Sequence, residues 1–198
     1  MTEYIISLIF GYLLGSIPFG LLVTRMAGLG DIRQIGSGNI GATNVLRTGR
    51  KDLALLTLMF DLGKAALAAI MMRFIFQSEA VGFAAGLSAV IGHNYPIWLK
   101  FKGGKGVAST FGMMLALTPI TGVLTCLTWL FMALIFHYSS LSALISLMLA
   151  PFYAYVFSGK SAVICYSLLW ILSLWRHRTN IKRLFSGQES KIKFKKAV

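Results

Sequence analysis

The 198-residue sequence predicts an all-α, polytopic integral membrane protein with seven transmembrane helices, its N-terminus outside and its C-terminus cytoplasmic. Three observations predict it. Hydrophobic residues make up 57% of the chain and its mean hydropathy is +0.74, well beyond what a water-soluble core needs. The apolar residues gather into stretches long enough to cross a hydrocarbon layer of about 30 Å at about 1.5 Å per helical residue. The basic residues stand between and after those stretches, on what the positive-inside rule makes one face.

The first span is residues 4–24. Gly11, Gly15, Ser16 and Gly20 give it a small-residue face suited to close helix packing, and Pro18 should bend it. No basic stretch precedes it and no clean small-residue cleavage site follows, so a retained span is expected rather than a removable signal. A polar loop, 25–51, leads to the second span, 53–76, where Asp61 and Lys64 lie one turn apart on one helix face. Charges inside a span are either a structural ion pair or part of a functional site, and spacing leaves both readings open. The third span, 80–99, carries Gly82 and Gly86 and ends in Gly92, His93, Asn94, Tyr95 and Pro96. It delivers the chain to the turn 100–109, with Lys100, Lys102, Lys105, Gly103, Gly104 and Gly106 in ten residues.

Residues 107–136 form one apolar stretch with Thr118 and Pro119 near its middle, and hydropathy alone does not decide between one crossing and two. Charge does. With two crossings, Arg25, Arg33, Arg47, Arg50, Lys51, Lys100, Lys102, Lys105 and the eight Lys and Arg of 176–196 share one side, sixteen of nineteen basic residues. With one crossing the tail moves to the opposite side and the bias collapses. Residues 107–118 are short for a span, so this segment is expected to be short, tilted or embedded among other helices. Spans at 139–157 and 162–175 and a basic tail complete the chain. No repeat or low-complexity segment interrupts it, so one membrane domain over 1–198 is expected.

A net charge of +13 suits nucleic acid in principle, but the basic residues do not line one aromatic-studded face, and no nucleic-acid partner is expected. The six carboxylates, Glu3, Asp31, Asp52, Asp61, Glu79 and Glu189, include no close cluster for Mg²⁺ or Ca²⁺, so neither metal nor cofactor is expected. Cys126 and Cys165 fall inside apolar segments and read as packing residues rather than nucleophiles.

The topology brings three polar stretches to the cytoplasmic face. Residues 37–47 supply the hydroxyls of Ser37 and Thr43, the amides of Asn39 and Asn44, Gly38 and Gly41, and Arg47, a set suited to phosphate oxygens and ligand hydroxyls. Residues 93–109 supply His93, Asn94 and Lys105, with glycines that let backbone N–H groups converge on an anion before a helix N-terminus. This is not a nucleotide-binding P-loop, because no Gly-Lys-Ser/Thr triplet completes the pattern. Residues 176–189 form a basic helix end in which His177 and Asn180, three apart, can share a face. No serine stands in a nucleophile elbow, and neither His93 nor His177 has an aspartate five positions on: Trp98 and Lys182 stand there. An enzyme of this kind works by positioning anionic substrates and stabilising developing negative charge.

Taken together, Ser37 to Asn44, Gly92 to Pro96 with Phe101 to Ala108, and His177 to Leu184 with Gly187 and Glu189 resemble the bacterial acyl-phosphate:glycerol-3-phosphate acyltransferases of the PlsY type. Residues 15–20 and the Asp61 to Lys64 segment also fit, so the resemblance runs nearly end to end. Ala65 departs from the family's usual glycine and Ser109 from its threonine, both conservatively. The resemblance implies transfer of a fatty acyl group from acyl phosphate to the 1-hydroxyl of sn-glycerol 3-phosphate in the bacterial inner membrane, with the site at its cytoplasmic face. Membrane lipid is the implied surrounding, a monomer is expected, and no covalent acyl-enzyme forms because a substrate phosphate assists deprotonation. By the same resemblance Ser37, Arg47, Lys105, His177 and Asn180 are catalytic. Gly38, Asn39, Gly41, Thr43, Asn44, His93, Asn94, Gly103, Gly104 and Gly106 bind substrate. An anion transporter and a thioester-dependent acyltransferase are the alternatives.

Overall fold

Each long apolar stretch is helical in the computed structural model, which describes residues 1–192; Lys193, Lys195 and Lys196 of the basic tail lie outside them. In order, the chain forms α1 (Thr2–Gly15), α2 (Phe19–Met26), α3 (Ala42–Leu46), α4 (Lys51–Phe76), α5 (Glu79–Asn94), α6 (Val107–Leu117), α7 (Pro119–Phe136), α8 (Ser139–Phe157), α9 (Lys160–Arg176) and α10 (Arg178–Phe185). Single 3₁₀ turns sit at Ile32–Gln34 and Ile97–Leu99. The chain divides into two compact units, Met1–Gly122 and Val123–Val198.

In the first unit α1 lies along α5, and α4 packs against both α5 and α6. Small residues make the first contact possible. A Cβ on Gly15 would lie 2.0 Å from the Ala89 carbonyl oxygen, so only glycine lets the two backbones approach this closely. Ser88 then donates to the Leu8 carbonyl at 2.6 Å and the Tyr12 hydroxyl to that of Tyr95 at 2.8 Å. The small-residue face read from the sequence is thus a helix-packing face.

Two helix ends differ from expectation, and proline explains both. Pro18 breaks the first span into α1 and α2 rather than bending one helix, because it has no N–H to offer and Ser16 to Pro18 leave the helical path. Pro96 stops α5 at Asn94, five residues early: the residue before a proline is pushed out of the helical region, and Tyr95 has φ −135°.

In the second unit α8 packs along α9 around Leu147, Tyr166 and Leu169, with α10 folded against both. Among the described residues four stretches are long and apolar enough to cross a membrane: Thr2–Met26, Lys51–Phe76, Pro119–Phe136 and Ser139–Phe157. Helices α5, α6 and α9, which the sequence reading also counts as spans, have 16, 11 and 17 residues. At about 1.5 Å per residue α6 is well short of a full crossing.

Candidate active site

The polar loop before α4 is built on one buried amide. Asn44, on α3, donates through Nδ2 towards the carbonyls of Ile32, Ile35 and Asn39 at 3.0, 2.9 and 2.8 Å. Its Oδ1 accepts from the Ser37 N–H at 2.9 Å, the Ser37 hydroxyl at 3.2 Å and the Arg47 guanidinium at 3.3 Å. Asn44 was expected to bind substrate, but its donors and acceptor are spent on the loop, so it organises the exposed Ser37 and Arg47 instead. Gly36 (φ +58°) and Gly38 (φ +70°) supply the left-handed turns around it, Gly41 caps α3, and Asn39 and Thr43 are half-buried beside them. At the loop's start Asp31 accepts from the Arg33 side chain and backbone and from Arg25. The Arg33 side chain holds the Asp31 carboxyl well below the ordinary carboxylate range against the opposing effect of partial burial.

The second cluster is buried. Lys64 Nζ lies 2.8 Å from Asp61 Oδ1, 2.8 Å from His93 Nδ1 and 2.9 Å from the Ile17 carbonyl oxygen. An ammonium only donates, so His93 Nδ1 accepts and its Nε2 carries the proton. Removing one partner from a buried ion pair of this kind typically costs about 3–5 kcal/mol. The Ile17 carbonyl belongs to the break that Pro18 makes and also accepts the Phe19 N–H at 3.1 Å. Next to Ile17, α2 carries Gly20, where a Cβ would lie 1.9 Å from the Ile40 carbonyl oxygen; α2 therefore touches the Asn44 loop as well.

Beyond His93 comes the glycine turn, and its geometry differs from the expectation that its N–H groups converge outward on an anion. Gly103 and Gly104 donate inward, to the carbonyls of Asn94 at 3.2 Å and His93 at 3.0 Å. A Cβ on Gly104 would lie 1.9 Å from His93 Nε2, so this glycine is required by contact rather than by φ. Gly106, with φ +78°, caps α6 beside the fully buried Asn94. Half-buried Lys105 and the first turn of α6, whose N–H groups have no intrahelical partner, follow the two glycines directly.

In the second unit His177 links α9 to α10 and is buried. Its Nδ1 lies 2.9 Å from the Ser173 carbonyl, which only accepts, so Nδ1 carries a proton. Asn180, one turn along α10, donates to Glu189 Oε1 at 2.6 Å; the same oxygen accepts from Ser140 at 2.8 Å, and Oε2 accepts from Arg183 at 2.7 Å. Burial pushes the Glu189 carboxyl up, but the hydrogen bonds from Arg183, Asn180 and Ser140 outweigh it and leave it below the ordinary value. Ser140, Ser173 and the anchoring role of Glu189 escaped sequence reasoning. Only the carboxylate's position after a basic helix signalled any of them.

A multi-pass, all-α membrane protein whose polar loops are arranged around lysine, arginine, histidine and asparagine belongs to the class that handles anionic substrates at a membrane. The family model described as glycerol-3-phosphate acyltransferase matches residues 5–187. A glycerol-3-phosphate acyltransferase of Rhodospirillum rubrum is 56% identical over 193 residues, covering 94% of this chain and 89% of its own. One from Paramagnetospirillum magneticum is 53% identical over 196 residues, covering 99% and 97%. The crystal structure of PlsY (YgiH), an integral membrane glycerol 3-phosphate acyltransferase, in its glycerol 3-phosphate form matches with a TM-score of 0.90 at 35% identity, over 96% of each chain. Its lysophosphatidic acid form matches with a TM-score of 0.87 at 34% identity, over 95% and 94%. The chain belongs to the glycerol-3-phosphate acyltransferase family and is a multi-pass integral membrane enzyme.

Glu189 gives a pH prediction. Its folded pKa is depressed, so its stabilisation is fully present above the ordinary value of 4.5 and is lost as pH falls through the lower folded value. Thermal unfolding of the purified protein should show Glu189→Gln less stable at about pH 7, with the gap to wild type closing towards about pH 3. A gap that stays constant over that range would contradict the assignment.

Proposed function

We propose that the enzyme takes its acyl group from an acyl phosphate and delivers it to the 1-hydroxyl of sn-glycerol 3-phosphate, forming lysophosphatidate and inorganic phosphate without an acyl-enzyme. The observation that carries this reading is Lys105 seated at the N-terminus of α6, a pairing of cation and helix dipole suited to a phosphate. The hydroxyl oxygen attacks the acyl carbon, the bond from that carbon to the phosphate oxygen breaks, and phosphate leaves with the electron pair. The hydroxyl proton passes to a phosphate oxygen. The mixed anhydride is already activated, so no protein nucleophile is required.

In this reading Lys105 and the first turn of α6 hold the phosphate of the donor, with Ser37 and Arg47 on phosphate oxygens. His177 and Asn180, the latter held by Glu189, orient the acceptor and the developing oxyanion. Asn39, Thr43 and Asn94 support these contacts, and Gly38, Gly41, Gly103, Gly104 and Gly106 shape the backbone around them. All three polar stretches lie on the cytoplasmic side of seven crossings within one membrane domain, α5, α6 and α9 crossing as short or embedded helices. The sixteen basic residues assigned to that side support this topology.

Purified protein given acyl phosphate, acyl-CoA and acyl carrier protein thioester in parallel, with labelled glycerol 3-phosphate, should form labelled lysophosphatidate from acyl phosphate alone. Lys105→Ala and His177→Ala should each lower turnover by about 10²–10³. Product from a thioester only, or normal turnover in either variant, would refute the corresponding part. A C-terminal epitope tag should react only after the cytoplasmic face is exposed; reaction from outside intact cells would overturn the topology.

A further inference from the structure

The Asp61, Lys64 and His93 cluster is too costly to bury without a return, and neither phosphate contact nor acceptor orientation uses it. Its connections point to what it does. Lys64 Nζ bridges Asp61, the Ile17 carbonyl and His93 Nδ1, all within 2.9 Å. Asp61 Oδ1 also lies 3.5 Å from His93 Nδ1, and the Lys64 ammonium stands between the carboxylate and the imidazole. The Asp61, Lys64 and His93 side chains are 2%, 1% and 5% exposed, so water does not compete for these contacts. On its far edge the imidazole meets the glycine turn: Nε2 occupies the space a Gly104 Cβ would need, and the His93 carbonyl accepts the Gly104 N–H at 3.0 Å. Lys105 follows immediately. A ring that rotated or changed tautomer would therefore disturb the turn one residue before the cation at the α6 N-terminus.

We propose that Asp61, Lys64 and His93 form a positioning relay in which the Lys64 ammonium fixes His93 as its Nε2–H tautomer and the ring, seated against Gly104, sets Lys105 and the α6 N-terminus for the donor's phosphate. The proposal rests on the reading of the glycine turn as the donor-phosphate site. It assigns the buried charges to neither proton transfer nor substrate contact. They act through the backbone. The relay also ties the α1–α2 break and α4 to the turn, since Lys64 holds the Ile17 carbonyl with one N–H while another meets His93.

Protein labelled with ¹⁵N-histidine in detergent micelles reads the tautomer, and His93→Gln assigns the His93 signals among the three histidines of the chain. Wild type should show an unprotonated, hydrogen-bonded Nδ1 and a protonated Nε2 at His93. The paired variant Asp61→Leu/Lys64→Met removes both charges and leaves no lone buried ion. It should lose that signature and raise KM for acyl phosphate about 10- to 10²-fold, with KM for glycerol 3-phosphate changed less than about twofold. His93→Gln leaves the ion pair in place, does not depend on the paired variant's folding, and should show the same selective rise. A wild-type His93 protonated at Nδ1, or an unchanged KM for acyl phosphate in His93→Gln, overturns the relay. Lys105→Ala separates the two levels: if it too leaves that KM unchanged, the reading of the turn fails; if it alone raises it, only the relay fails.

Discussion

A lysine ammonium in the middle of an apolar helix is the constraint on which the first unit depends. Lys64 has no water to turn to, so each N–H must find a protein acceptor. The first partner is a counter-charge on its own helix, Asp61 one turn earlier and 2.8 Å away. The second is the Ile17 carbonyl, in the break that Pro18 makes between α1 and α2, which also accepts the Phe19 N–H at 3.1 Å. The third is His93, at the end of a helix that Pro96 stops nearby. Two proline breaks and one buried cation therefore explain each other, and the glycine turn inherits its position from their junction.

The same logic recurs with smaller groups. Asn44 holds Ser37 and Arg47 by a single amide oxygen, and Glu189 holds Asn180 and Arg183 by a single carboxylate. In each case one polar side chain gives up its hydrogen-bonding capacity to fix the side chains beside it. Fixed donors lose little freedom when substrate arrives, so more of the binding energy can act in the transition state.

Hydropathy made α4, α8 and α9 legible to within a few residues, because long apolar stretches between polar turns have few alternatives. The spacing of Asp61 and Lys64 also announced their ion pair, a local matter of one helical turn. What escaped was long-range. His93 is 29 residues from Lys64, and Ser140 is 49 from Glu189. The inward direction of the Gly103 and Gly104 N–H groups could not be read from composition either, since a glycine-rich turn looks the same whichever way its donors point. Asn44 illustrates the general difficulty. Its residue type suits a ligand or a loop equally, and only its six hydrogen bonds to five neighbours decide.

The chemistry that follows is economical. A mixed anhydride needs its phosphate held and its acceptor aligned, and the turn, the Asn44 loop and the Glu189-anchored pair are suited to those two tasks. The central claim is that donor phosphate meets Lys105 and the α6 N-terminus rather than the glycine N–H groups. Backbone amide chemical shifts of the labelled protein in micelles test it directly on titration with a non-transferable acyl phosphonate. The account predicts large shifts over residues 105–109 and small ones at Gly103 and Gly104. Shifts centred on Gly103 and Gly104, or none anywhere in the turn, would contradict it.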